Sequence, residues 1–347
     1  MDSLTHVVLG AAIGEVVLGK KIGNRALFWG AVAGSLPDAD VLLTPFTDAI
    51  SYLNLHRGIT HCLLFVAIVG PLAGWLMAWR YRWHPAATTV RQWQTLFLAG
   101  LLSHVLLDAC TTYGTPLFLP WSAERVAINN LFIADPLFTV PLLAAVVAVL
   151  FLRRESARRR WLVAVAMALA SLYVGVSLIN QHLAEQAFAR TLADQRIQVR
   201  RTMTAPTPLN TILWYCVAET DDGYYLGYHS LLEGRKPVSF RYIPRNDRLI
   251  EGLKGTREVH RLIAFSDGYY AVRDRSDGLL FYVLKFGTLF PDAGEDQVAF
   301  SFLLDRDSHG SLHATRQDRR YQLNWAEAVR SVWTRMRGQG SPAVRAA

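Results

Sequence analysis

The chain has 347 residues, of which 52% are hydrophobic and only 18% are charged, and its mean hydropathy is +0.18. This composition excludes a disordered chain and is unusually apolar for a water-soluble protein of this length. The net charge of +8 is shared equally between the two halves of the chain, which favours no nucleic-acid partner, and three scattered cysteines exclude a disulfide framework.

The charged residues divide the chain into two parts. Residues 1–180 contain 13 Lys or Arg and nine Asp or Glu, whereas residues 181–347 contain 23 and 19. We therefore predict a membrane-embedded helical domain over residues 1–180 and a β-rich globular domain over 201–347. The polar stretch 181–200 is predicted to be a helical stalk between them.

Six apolar stretches of the first part predict helices, namely residues 4–19, 26–36, 62–79, 96–107, 136–152 and 161–179. A bilayer core of roughly 30 Å requires about 20 helical residues. The third, fifth and sixth stretches are long enough to span it, whereas the others are short. The predicted fold class is a membrane α-helical domain of about six apolar helices, followed by a mostly antiparallel β or α+β domain.

Basic residues alternate between the loops of the membrane domain. The loops 37–61 and 108–135 contain only Arg57 and Arg125, whereas the other three contain eleven Lys or Arg: Lys20, Lys21, Arg25, Arg80, Arg82, Arg91, Arg153, Arg154, Arg158, Arg159 and Arg160. By the positive-inside rule, these three loops face the cytoplasm. We predict a multi-pass protein of a bacterial inner membrane whose N-terminus, two remaining loops and C-terminal domain face the periplasm.

Beyond residue 200, runs of aromatic and β-branched residues predict strands: TILWYCVAET, YYLGYHSLL, VHRLIAFS, YYAVRD, LLFYVLKF and VAFSFLLD. Three Asp-Gly pairs, at 222–223, 267–268 and 277–278, separate neighbouring runs and favour tight hairpin loops. A mostly antiparallel sheet is expected. Near the end, NWAEAVRSVWTRMRG predicts an amphipathic helix that ends at Gly338.

Seven residues of metal-ligand type fall on the predicted outer face of the membrane domain: His6, Asp38, Asp40, His56, His61, His104 and Asp108. His104 and Asp108 are four residues apart, so on a helix they share one face. Asp38 and Asp40 flank one alanine, and two such close carboxylates repel each other unless a cation lies between them. Imidazole and carboxylate ligands suit zinc or manganese, and the set is large enough for one or two ions.

Each part of this pattern also has a structural interpretation. An HxxxD pair can join two helices by a hydrogen bond, and PDAD can simply end a helix. The free energy of insertion argues for the metal interpretation, because a charged side chain at the bilayer centre costs about 2.5–3.5 kcal/mol. A bound cation would offset that cost for the three aspartates.

Other residues near this set have two open interpretations each. Arg57 either binds a phosphate and stabilises developing negative charge or anchors to lipid headgroups. Asp135 either caps a helix or completes the site. Cys62 and Cys110 flank His61 and Asp108, and either join the site or pack as small apolar side chains.

The segments MDSLTHVVLGAAIG, GSLPDAD, HRGITH and SHVLLDACTTYGTP resemble, in this order, the YdjM-like family of bacterial inner-membrane proteins, over roughly residues 1–180. The resemblance implies a metal-dependent hydrolase embedded in the membrane. The His/Asp pattern is similar to that of the zinc-dependent phospholipase C and P1 nuclease group, which is helical and acts on phosphate esters. It implies that the seven residues named above are the metal-site positions, and it implies nothing for residues 181–347.

Two functions are therefore expected. In the first, the protein is a metal-dependent hydrolase in which water activated by zinc or manganese attacks a lipid or another phosphoester. Asp40 or Asp108 would accept the proton of the water, and Arg57 would contact the phosphate. In the second, it is a non-catalytic membrane scaffold or sensor with a structural metal and a C-terminal domain that binds a partner protein.

Overall fold

A computed structural model describes residues 1–47, 57–84, 88–288, 290–291, 298–306, 312–317 and 325–339. It divides into two compact units. The helical unit holds the described residues within Met1–Phe46, Leu55–Ser177 and Pro208–Asn210. The sheet unit holds those within Thr47–Asn54, Leu178–Thr207 and Thr211–Ala347.

Six helices contribute to the helical unit: α1 (Ser3–Gly14), α2 (Asn24–Ser35), α3 (Leu63–Arg80), α4 (Val90–Ala109), α5 (Pro136–Leu150) and α6 (Ala157–Asp194). Helix α1 continues through a π-helical turn, Glu15–Gly19, to Ile22. The 3₁₀ segments Pro37–Phe46 and Ile59–His61 follow α2 and precede α3. Side chains cap four of these helices, because Asp2, Cys62, Thr89 and Asp135 each accept a hydrogen bond from a backbone N–H of the first turn.

Within the described residues, three helical stretches are long and apolar enough to cross a membrane: Ser3–Ile22, Leu63–Arg80 and Ala157–Asp194. The six predicted stretches correspond to α1–α6, but six apolar spanning helices are not established among the described residues. Helix α2 has only 12 residues and α5 only 15, and at 1.5 Å per residue neither covers a bilayer core of roughly 30 Å. Helix α4 has 20 residues, but its polar side chains, among them Gln92 and Asp108, lower its hydropathy.

Helices α1 and α2 cross at four glycines that are spaced four residues apart on each helix: Gly10, Gly14, Gly30 and Gly34. A Cβ atom built on Gly30 would lie 2.1 Å from the carbonyl oxygen of Gly10, and one on Gly14 would lie 2.0 Å from that of Ala26. Such contacts are possible only without side chains, as in other small-xxx-small helix pairs. The crossing brings the first turn of α1 against the last turn of α2.

We expect Gly30→Ala to destabilise the protein by about 1–3 kcal/mol or more, because the added methyl group would force the two backbones apart. The measurement is the thermal unfolding midpoint in detergent. The control is Gly175→Ala, since nothing lies within 4 Å of a Cβ at this exposed position of α6 and alanine has the higher helix propensity. Equal midpoints for the two variants would contradict the tight crossing.

The sheet unit contains two four-stranded antiparallel sheets. The first sheet has the order β1 (Arg201–Pro206), β2 (Leu213–Glu219), β3 (Gly223–Ser230) and β4 (Phe240–Pro244). The second has the order β5 (Tyr270–Arg275), β6 (Gly278–Thr288), β7 (Val298–Arg306) and β8 (Leu312–Gln317). Their facing residues form one core, to which β2 and β6 contribute side chains such as Tyr215, Val217, Leu280 and Leu284. The predicted antiparallel architecture is confirmed.

The opposite face of the first sheet packs on the C-terminal part of α6. Trp214 and Cys216 of β2 contact a cluster that includes Ala184, Phe188 and Leu192. The segment predicted to be a polar stalk is therefore helical as far as Asp194, and one of its faces is part of the core of the sheet unit. For this reason the side chains on both faces of β2 are buried.

The prediction of a strand at VHRLIAFS was wrong, because residues Arg257–Phe265 form helix α7. Its buried side chains are Val259, Leu262 and Phe265, three residues apart, as a helix face requires. Phe265 packs against Phe286 and Phe300 of the second sheet. The second Asp-Gly pair, 267–268, consequently follows a helix rather than separating two strands. The final predicted helix is α8 (Trp325–Met336), and Gly338 has a φ of 71°.

Candidate metal centre

Four segments of the helical unit bring the predicted ligands together. His6 lies in the first turns of α1, Asp38 and Asp40 in the 3₁₀ segment after α2, His61 at the end of the 3₁₀ turn before α3, and His104 and Asp108 one turn apart on α4. Pro37 begins the 3₁₀ segment, where its lack of a backbone N–H interrupts the hydrogen bonding of α2. Of the seven predicted positions, His56 lies outside the described residues.

Four donor atoms from these segments lie at nearly equal separations. His61 Nε2 is 3.1 Å from His104 Nε2 and 3.5 Å from both Asp38 Oδ1 and Asp108 Oδ2. His104 Nε2 is 3.5 Å from the same Asp38 oxygen and 3.6 Å from the same Asp108 oxygen. Ligands 2.0–2.2 Å from a tetrahedral zinc ion are separated from one another by about 3.3–3.6 Å. These five separations are close to those of ligands that share one metal ion.

The tautomer of His104 also suits metal binding. Its Nδ1 atom donates a hydrogen bond to the Gly34 carbonyl oxygen at 2.6 Å, so the lone pair is on Nε2, the atom that faces His61 and the two carboxylates. Metal-binding histidines are commonly oriented in this way by a backbone carbonyl. Gly34 lies in the α1–α2 crossing. The crossing therefore fixes the carbonyl oxygen that orients the His104 ring.

His6 adjoins these four donor atoms. Its ring stacks on that of His104, with 3.6 Å between the ring centroids, and its Nε2 atom is 3.1 Å from Asp108 Oδ1. The candidate ligands fall into two groups whose donor atoms all lie within 4.8 Å of one another: His61, His104 and Asp108 in one, and His6, Asp38 and His104 in the other. Because both groups use His104, they describe a single centre.

Two buried polar atoms at the centre, His6 Nδ1 and Asp108 Oδ2, have no hydrogen-bond partner among the described residues. Buried polar atoms normally have one, so such exceptions require an explanation. Asp108 Oδ2 is the carboxylate oxygen that faces the two Nε2 atoms. A cation at this position would satisfy the Asp108 oxygen and compensate its negative charge.

The Asp38 carboxylate remains ionised. Burial by itself would raise the pKa of Asp38, but hydrogen bonds with His104 and His61 lower it, and the pKa lies well below its usual range. Asp38 is also the only one of the four donor side chains with more than a trace of exposed surface, at 19%. Asp38 is therefore the least buried of the four ligand candidates.

Asp40 lies on the other side of the His61 ring. One of its carboxylate oxygens is 3.7 Å from His61 Nδ1 and accepts hydrogen bonds from the Arg57 backbone N–H and the Thr60 hydroxyl. It belongs to neither group of donor atoms. The sequence placed Asp38 and Asp40 together as ligands, whereas the structure places only Asp38 at the centre and Asp40 behind His61.

Arg57 is buried and has a left-handed backbone, with a φ of 58°. Its guanidinium lies 3.0 Å from Asp108 Oδ1 and donates a hydrogen bond to the Thr111 hydroxyl at 3.0 Å. The Met1 amino group contacts the same Asp108 oxygen. A positively charged group thus adjoins the centre, and its partner is a carboxylate of the chain itself.

The remaining candidates have structural contacts. Asp135 caps α5 and accepts a hydrogen bond from the Tyr173 hydroxyl at 2.7 Å. The thiol of Cys62 caps α3 through Phe65 N–H. Burial raises the pKa of Cys110 to about 11, which keeps it a neutral thiol. None of the three belongs to a group of donor atoms among the described residues.

The sequence did not identify the residues that support the ligands, namely Gly34, Thr60 and Thr111. Of these three, only Gly34 could have been found from the sequence. The pairs Gly10/Gly14 and Gly30/Gly34 form two GxxxG patterns, which predict close helix packing. Thr60 and Thr111 act through contacts between segments that are distant in the sequence.

An apolar helical unit with buried histidines and aspartates defines a membrane protein with a candidate metal centre. The chain belongs to the YdjM inner membrane protein family, whose model matches residues 1–184. That range contains all the ligand candidates. The match confirms the family that the sequence motifs resemble, whereas the expected hydrolase activity and the likeness to the P1 nuclease group stay predictions.

Two relatives show similarity to part of the chain. Inner membrane protein YbcI of Escherichia coli is 41% identical over 125 residues, which are 35% of this chain and 69% of the relative. Uncharacterized protein YfhP of Bacillus subtilis is 33% identical over 156 residues, which are 42% of this chain and 45% of the relative. Neither name states an activity. No solved structure matches the chain.

Proposed function

We propose that this protein is a membrane-embedded, metal-dependent hydrolase that acts on a phosphoester. The observation that supports this proposal is the spacing of the four donor atoms of His61, His104, Asp38 and Asp108, all 3.1–3.6 Å apart in the five measured pairs. Two nitrogen and two oxygen donors suit zinc, and manganese is the alternative. One ion is proposed, because both groups of donor atoms share His104.

A bound divalent ion would supply a Lewis acid that polarises the phosphoryl group and lowers the pKa of water. The chain supplies the remaining functions. Asp40 and Thr60 orient the His61 imidazole from its Nδ1 side, so Asp40 is a positioning residue rather than a ligand. The Arg57 guanidinium is placed to balance negative charge that develops beside Asp108. Substrate would approach on the exposed side of Asp38.

A second function is favoured by one observation. Four protein donors are sufficient to close a tetrahedral shell, and closed shells are typical of structural rather than catalytic zinc sites. In this alternative the protein is a membrane scaffold or sensor, the ion holds α4 and the two 3₁₀ segments together, and the sheet unit binds a partner protein.

An activity assay on matched variants tests the first proposal. Wild type, His104→Ala and His182→Ala are purified in detergent and incubated with phospholipids and chromogenic phosphodiesters in the presence of zinc or manganese. His182 is an exposed histidine of α6, so its replacement controls for the loss of an imidazole. We expect metal-dependent hydrolysis by wild type and His182→Ala, and at least a 100-fold lower rate with His104→Ala.

The assay also separates the two functions. Equal rates for wild type and His104→Ala would contradict the hydrolase. Stoichiometric zinc in the wild type without hydrolysis of any substrate would instead support the structural centre.

A further inference from the structure

We propose that Tyr113 and Arg125 form, with Arg57, a recognition site for the anionic headgroup of a membrane phospholipid. This inference names the substrate class of the centre described above and so rests on the proposed function. It depends on a stack of side chains that extends from the buried centre to the surface of the helical unit.

The stack consists of one aromatic ring and two guanidinium groups. The Cζ atom of Arg57 lies 4.8 Å from the centroid of the Tyr113 ring, and that of Arg125 lies 5.0 Å from the same centroid. Arg57 is buried and contacts Asp108, whereas Arg125 and Tyr113 are half-buried. Two cations that share one ring place a continuous region of positive charge beside the metal ligands.

The backbone fixes the position of Arg125. Thr115 and Val126 exchange two backbone hydrogen bonds, of 3.0 and 2.9 Å, which pair the two sides of this loop. Arg125 donates to the Gly114 carbonyl oxygen at 3.4 Å. Gly114 has a φ of 73°, and a Cβ there would lie 3.2 Å from the Cβ of Arg125. These backbone contacts hold the Arg125 guanidinium against the Tyr113 ring.

The tip of the same loop is apolar and exposed. Phe118 and Trp121 have 53% and 79% of their surface exposed. The loop is joined to the start of α3 by a hydrogen bond of 2.9 Å from Leu63 N–H to the Leu117 carbonyl oxygen. Exposed aromatic residues next to arginine are typical of the interface between membrane and water.

These two features together favour a phospholipid over a free phosphate. A lipid has an acyl part for the aromatic tip and a phosphate for the arginines. They also favour a headgroup with net negative charge, because the choline of a zwitterionic headgroup would bring a third cation to a region that already has two. Phosphatidylglycerol is a suitable probe of this class, and phosphatidylcholine is the matched zwitterionic probe.

Lipid binding tests the inference without reference to hydrolysis. Full-length protein in detergent is titrated with each lipid, and bound lipid is measured by native mass spectrometry. We expect wild type to prefer phosphatidylglycerol, and Arg125→Gln to bind it about fivefold more weakly, as is typical for one arginine at an anionic membrane surface, with phosphatidylcholine binding unchanged. The control is Arg91→Gln, which removes an exposed arginine from the start of α4 and should leave both affinities unchanged.

The outcomes distinguish this inference from the proposed function. Equal effects of Arg125→Gln and Arg91→Gln, or equal losses for both lipids, would overturn it. Displacement of phosphatidylglycerol by an equal concentration of inorganic phosphate would also overturn it, because the ligand would then be phosphate rather than lipid. Selective lipid binding without hydrolysis would support the recognition site while contradicting the hydrolase.

Discussion

Wild-type protein is expected to bind one zinc ion per chain, and His61→Ala or His104→Ala is expected to weaken that binding by roughly three orders of magnitude. The reason is that each variant removes one of four donors, and zinc held by a complete set of protein ligands gains roughly 10–16 kcal/mol. The measurements are metal analysis of the purified protein and competition with a chelator of known affinity. His182→Ala is the control that should retain full affinity.

The substitution Asp40→Asn tests whether Asp40 orients His61 or binds the metal itself. If Asp40 only orients His61, Asp40→Asn should weaken zinc binding by about 10- to 100-fold, which is the usual effect of a residue that supports a ligand. A loss as large as that of His61→Ala would show that Asp40 is a ligand after all. Two zinc ions per chain at saturation would contradict the single centre.

The second large effect is expected at the Glu15–Arg159 pair, which lies in the helical unit. Both side chains are buried, and Glu15 accepts hydrogen bonds of 2.9 and 2.7 Å from Arg159 Nε and Nη2. Arg159 also donates to the Asn24 side chain and to the Leu152 carbonyl oxygen. We expect Glu15→Gln to lower the free energy of unfolding by about 3–5 kcal/mol, because it leaves a buried guanidinium without its counter-charge.

The control for this prediction is an ion pair of the same residue types on the surface. Arg154 and Glu155 are 50% and 71% exposed, so Arg154→Gln should cost less than about 1 kcal/mol. The double variant Glu15→Met with Arg159→Met should recover much of the loss, since no charge then remains buried. Unfolding in detergent is the measurement. Equal stability of Glu15→Gln and Arg154→Gln would show that the pair is not isolated from solvent.

Much of the candidate centre could be predicted from the sequence, because the residue types are unusual for a membrane domain. Histidines and aspartates in apolar surroundings need partners, and the alternation of basic loops put seven of them on one predicted face. Six of the seven are described, and all six lie close together around His61 and His104. The antiparallel sheets were also predictable, since runs of aromatic and β-branched residues separated by turns leave few alternatives.

The sequence could not decide between Asp38 and Asp40. Both lie in a 3₁₀ segment, in which successive side chains are rotated by about 120°, so two residues that are separated by one position point in different directions. Only the position of His61 decides that Asp38 meets Nε2 and Asp40 faces Nδ1. That position depends on contacts between segments more than 20 residues apart.

The same distinction holds for the rest of the molecule. Composition and patterning determined that the first half is apolar and helical, that it carries a concentrated set of metal-ligand residues, and that the second half is mostly β. Only the tertiary structure decided which donors share one centre, that residues 257–265 form a helix, and that the end of α6 packs on a sheet. The physical reason is that residue type determines which environment a side chain requires, whereas the distances between donor atoms depend on how the helices pack. In this protein the glycines of α1 and α2 allow the close packing that sets those distances.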